Sequence, residues 1–80
     1  MIKSQKIEFK GYSNSMQRNY YSIRFYNEFD KTKFVMNFNL RLIGPYIQAE
    51  PDLYDPLVIN VNFVNHSEKY VLLLIHQFAI

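Results

Sequence analysis

Six side chains in the first half of this 80-residue chain have the types that make a recognition surface: Tyr20, Arg24, Tyr26, Asn37, Asn39 and Arg41. Tyr and Arg dominate binding hot spots because each combines a large contact area with a polar or charged tip. Two guanidinium groups among phenol rings can also stack bases and hold phosphates. A second constellation, Glu50, Asp52, Tyr54 and Asp55, gathers negative charge in a short stretch and suits a basic partner. It lacks the spacing and central Gly of an EF-hand, so no metal is expected there. A third group, Val71, Leu73 and Ile75, alternates with Leu72 and Leu74 in the longest apolar run of the chain.

Catalytic chemistry finds little support. The absence of Cys removes a thiolate nucleophile, a thiolate metal site and a disulfide framework. His66 falls in a turn and His76 on an apolar face, and two separated His do not make a zinc site. Gly11 and Gly44 alone form no phosphate-cradling loop, and no Ser-His-Asp arrangement stands out. The residues therefore predict no catalytic group, cofactor or metal.

Period-two alternation predicts the elements that position these side chains. Residues 3–12 read as a strand with Ile7 and Phe9 on one face, and residues 13–19 as a loop. Residues 20–29 and 33–43 read as a hairpin, with Tyr21, Ile23, Phe25 and Phe29 opposite Leu42, Leu40, Phe38 and Phe34. Residues 44–56 hold Pro45, Pro51 and Pro56 and read as a long connection between sheets or barrel sides. A second hairpin joins 57–65 to 70–79, with Phe63 opposite Leu72 and Val61 opposite Leu74. The sequon Asn65-His66-Ser67 reads as part of its turn. Asn37 and Asn39, and likewise Asn60 and Asn62, then project opposite the apolar rows. Strand 70–79 is apolar on both faces, which predicts burial on both, one of them by the 44–56 connection, a second subunit or a partner, with Val71, Leu73 and Ile75 as the expected oligomer interface.

The expected fold is all-β: a single domain over 1–80 with about five antiparallel strands in a small barrel or two-layer sandwich. Residues 1–41 carry a net +5 and residues 42–80 a net −3, a bipolar distribution weaker than the basic field of a committed nucleic-acid binder. The N-terminal residues lack the apolar core of a signal peptide, and no apolar run approaches the ~20 residues of a spanning helix. Together with the missing Cys this suggests the cytoplasm. Phe, Tyr, Met, Ile, Asn and Lys supply 39 of the 80 residues, whereas Gly, Ala, Arg and Pro supply 10. That bias toward A/T-rich codons points to a low-GC genome. The expected function is a non-enzymatic protein-binding module, suited to a small accessory or inhibitory protein of a phage or mobile element. The alternatives are a single-strand nucleic-acid-binding β-barrel using the same aromatic and Arg face, or a structural subunit whose last strand builds an oligomer, such as a homodimer.

Overall fold

Residues 4–25 form the first hairpin of a four-stranded antiparallel sheet in the computed structural model, which describes residues 4–42, 44 and 46–79. In this hairpin β1 (Ser4–Ser13) pairs with β2 (Arg18–Phe25), setting Ile7 beside Ile23 and Phe9 beside Tyr21. After Phe9 the register shifts, and Gly11 adopts φ +85° at the irregularity. Only Gly takes that conformation without a Cβ penalty. The turn closes where the Gln17 N–H donates to the Ser13 carbonyl at 2.7 Å, with Gln17 itself left-handed at φ 57°.

Past β2 the chain departs from the expected all-β pattern. Residues 28–42, which include most of the expected strand 33–43, form helix α1 (Glu28–Leu42). The hairpin register between 20–29 and 33–43 therefore does not exist. Phe34 and Phe38 stand four residues apart and are both fully buried, with Val35 partly buried beside them, whereas Met36 is 59% exposed. Four-residue spacing puts Phe34 and Phe38 on one helical stripe and swings Met36 away from it. Asn27 starts the helix: its Oδ1 accepts the Asp30 N–H at 2.8 Å, as an N-cap does. Glu28 and Asp30 in the first turn complement the helix dipole.

The same correction applies to the expected strand 70–79, which lies within helix α2 (Glu68–Ala79). Ser67 Oγ accepts the Tyr70 N–H at 3.2 Å and caps it. Val71 and Ile75 are fully buried in the chain's own core, one turn apart, while Leu73 is 64% exposed. The apolar run is thus a helix with one buried stripe, so the reason for expecting a second subunit over Val71 and Ile75 disappears. His76, expected on an apolar strand face, is exposed on this helix.

Between the helices lie β3 (Ile47–Pro51) and β4 (Val58–Phe63). The expected connection 44–56 thus contains a short edge strand, closed by Pro51 where the ladder ends. The strand order is β1-β2-β4-β3. The described residues form four strands in one open sheet plus two helices, rather than five strands, and close no barrel. β2 and β3 run parallel on either side of β4, so α1 carries the chain across the sheet and β4 returns to fill the gap.

Both helices contribute to the core on one face of the sheet. Tyr21, Ile23 and Phe25 of β2, Ile47 and Ala49 of β3, and Ile59, Val61 and Phe63 of β4 meet Phe34, Phe38, Val71 and Ile75. The rings of Phe25, Phe34, Phe38 and Phe78 follow one another at centroid distances of 5.2, 5.2 and 5.7 Å. Full burial of each such ring contributes roughly 1.5–3 kcal/mol. Tyr21 reaches α2 through its hydroxyl, which donates to the Glu68 carbonyl at 2.8 Å, and its burial raises the phenol pKa. Among the described residues, no helix is long and apolar enough to cross a membrane.

Candidate functional site

Strand alternation sends the other row of side chains to the helix-free face of the sheet. Across its centre Tyr20 of β2, Asn62 of β4 and Gln48 of β3 lie side by side, as do Ser22, Asn60 and Glu50. Arg24 pairs with Val58 at one end. At the edge next to β2, Glu8 sits between Lys6 at 3.8 Å and Lys10 at 2.8 Å. The hydrogen bond and charge of Lys10 hold the Glu8 carboxyl below its ordinary pKa.

The β3–β4 loop folds up against this face and is tied down by its own Asp residues. Asp52 Oδ2 accepts the N–H groups of Tyr54 at 3.0 Å and Asp55 at 2.9 Å, and Asp52 Oδ1 accepts the Asn60 amide at 3.0 Å. Asp55 Oδ1 accepts the Leu57 N–H at 2.9 Å, and Asp55 Oδ2 forms an ion pair with Arg24. The Asp52 N–H donates to the Val58 carbonyl at 3.0 Å and closes the base of the loop. The Asn60 amide, then the two N–H groups, lower the Asp52 pKa, and the Leu57 N–H, then Arg24, lower that of Asp55. Both groups are hydrogen-bonded in the form that carries charge.

This bracing leaves the loop tip projecting. Leu53 is 90% exposed and Tyr54 92% exposed, although both sit on a backbone that six hydrogen bonds hold in place. Beneath the tip opens a cleft of about 500 Å³. Tyr20 and Asn60 line its floor on the sheet, Glu50, Asp52 and Tyr54 line one side, and Ser13, Ser15 and Met16 of the β1–β2 turn line the other.

The structure rearranges the expected sites. Of the six residues expected to share a face, only Tyr20 and Arg24 do. Asn37 is exposed and Asn39 half-buried on α1, and Tyr26 is exposed just beyond β2. Arg41 belongs to the backbone of α1, but its side chain lies outside the described residues. The acidic group Glu50, Asp52, Tyr54 and Asp55, read as a separate surface, adjoins Tyr20 and Arg24 instead. Asn60 and Asn62 do project opposite the apolar row, as alternation predicts, but Asn62 is only 2% exposed and its Oδ1 meets no donor among the described residues. Sequence reasoning missed Leu53 and Glu50 as neighbours of Tyr20. The available signal was the alternation Ile47-Gln48-Ala49-Glu50, which marks a strand inside the Pro-bounded stretch.

Comparison with protein-family models, curated proteins and solved structures found no match, so the functional reading rests on the residues themselves.

Proposed function

We propose that this chain is a non-enzymatic protein-binding module that works through the β3–β4 loop and the sheet face beneath it. One observation carries the reading: Leu53 and Tyr54 are almost fully exposed on a loop whose Asp side chains and backbone are hydrogen-bonded in place. A large apolar or aromatic side chain held out before the partner arrives loses little entropy on binding. Exposed loop residues positioned by a rigid scaffold are where recognition concentrates.

A phosphate-binding role for the same face is less well supported, because three of its cations already have acidic neighbours. Lys6 and Lys10 face Glu8, and Arg24 faces Asp55. Glu50 and Asp52 add further negative charge where a nucleic-acid backbone would lie. The small size and A/T-rich coding suit an accessory or inhibitory protein of a phage or mobile element, acting in the cytoplasm of a low-GC bacterium, and gene neighbourhood tests that origin.

The binding surface is tested by placing a photo-crosslinking residue at position 54 and, separately, at position 70 on α2, in lysate of a low-GC host. The expected result is a discrete adduct from position 54 alone. Unlabelled wild-type chain should compete it away, and Leu53→Ala with Tyr54→Ala should not. Adducts from position 70 only, or equal competition by the double variant, would show that the loop is not the working surface.

A further inference from the structure

The cleft beside the loop has a chemistry of its own. Two carboxylates, Glu50 and Asp52, stand on one side, and the rings of Tyr20 and Tyr54 border the same space. The Asp52 oxygens are committed to Asn60 and to two backbone N–H groups, which fix the carboxylate without neutralising it. Glu50 has a different status. It projects from the edge strand beside Asn60 and is exposed, and it makes no ion pair among the described residues. The site therefore offers one fixed negative charge, one uncommitted carboxylate and two π faces.

Resting on the protein-binding reading above, we infer that this cleft receives an arginine side chain of the partner protein. Charge complementarity selects a cation, and the tyrosine rings favour a planar one. A guanidinium stacks on aromatic faces and presents a donor fork that fits a carboxylate with two parallel bonds, whereas an ammonium does neither as well. The Ser13 and Ser15 hydroxyls, 3.1 Å apart on the opposite wall, offer further acceptors for the outer N–H groups. At about 500 Å³ the cleft is in the size range of binding sites for whole ligands and accommodates the residues flanking the arginine as well.

The test is an amide NMR titration of the full chain with a blocked Gly-Ser-Arg-Ser-Gly peptide, compared with the same peptide carrying citrulline, which keeps the shape and loses the charge. The arginine peptide should give saturable shifts at Tyr20, Glu50 and Asn60. Citrulline, and separately Glu50→Gln, should weaken that binding about tenfold, as expected on losing a charge-assisted hydrogen bond. Because Glu50 is exposed, Glu50→Gln should leave the thermal midpoint unchanged, which separates lost recognition from lost folding. Equal shifts with citrulline, or no saturable shift in the cleft with the arginine peptide, would overturn the inference. If position 54 still crosslinks a partner while the arginine peptide does not bind, the arginine inference fails and the protein-binding reading stands. If both experiments fail, both readings fall.

Discussion

Truncating Phe38 to alanine should cost about 3–5 kcal/mol, the range for removing a fully buried Phe. Phe38 has no exposed surface, and its ring lies between those of Phe34 at 5.2 Å and Phe78 at 5.7 Å. Alanine's better helix propensity returns only a few tenths of a kcal/mol. A domain of this size has roughly 4–12 kcal/mol of stability in all, so the variant should lie close to unfolding, with a midpoint lower by at least about 12 °C. Two companion variants make the test specific to the helix. Met36 is 59% exposed and Phe29 68% exposed, with the Lys33 ammonium 5.1 Å from the Phe29 ring centroid. Met36→Ala should stay within about 0.5 kcal/mol of wild type, and Phe29→Ala within about 1 kcal/mol, including that cation–π contact. Urea unfolding followed by far-UV circular dichroism measures all three. In a strand, Met36 and Phe38 would share one face, so comparable losses at the two positions would refute the helical packing.

The helix caps should act independently: Asn27→Ala and Ser67→Ala should each cost about 1 kcal/mol and add in the double variant, because they start different helices, which chemical denaturation can read directly. The loop should loosen in acid. The folded-state pKa values of Asp52 and Asp55 are lowered, so their contribution is complete above about pH 4, near the unfolded value, and is lost as pH falls through the folded values. The Tyr54 and Asp55 amide resonances should report this loss, and Asp52→Asn should show the loosened spectrum already at neutral pH. By contrast, Arg24→Ala should leave the loop in place, because a solvent-screened ion pair such as that with Asp55 contributes little; collapse of the Tyr54 resonances in that variant would contradict this. Finally, Asn62→Val should be neutral or stabilising by about 1 kcal/mol, since it removes a buried oxygen that meets no donor among the described residues, and a clear drop in the urea midpoint would show that the amide is needed.

The two strands of the first hairpin were legible because Ile7 and Phe9, and then Tyr21, Ile23 and Phe25, alternate with polar residues, but their pairing with each other was not, because 20–29 was matched to 33–43 instead. The helices were not, because their buried positions also satisfy period two. Phe34, Met36 and Phe38 line one face of a strand, yet only Phe34 and Phe38 lie on one face of a helix. In 70–79, every second residue from Val71 to Ile75 is apolar, but so are the residues between, and an all-apolar run does not separate a buried strand from a helix. The deciding signals lay just upstream. Asn27 with Asp30, and Ser67 with the N–H of Tyr70, are helix starts, and the strand reading absorbed both Asp30 and Ser67 into hairpin turns. The leucines of α2 also favour a helix more than the β-branched composition of a true strand would.

The site was half legible for a topological reason. Its side chains have the residue types that recognition uses, and those are visible in any order. Their grouping depends on which strands become neighbours. An all-β hairpin reading pairs β2 with the residues that follow it, which would bring Asn37, Asn39 and Arg41 to Tyr20 and Arg24. Once 28–42 is a helix, it cannot pair, and it delivers the chain to the far edge of the sheet instead. β4 then returns between β3 and β2, so Arg24 meets Asp55, 31 residues away, and Tyr20 shares a cleft with Glu50. The same step converts two charge-biased halves into one mixed surface, because β2 comes from the basic half and β3–β4 from the acidic half. A surface on which most cations are already opposed by carboxylates is poorly suited to hold a phosphate backbone. On the proposed reading it specifies one protein partner by shape, through a braced Leu53–Tyr54 tip and an uncommitted Glu50 beside it.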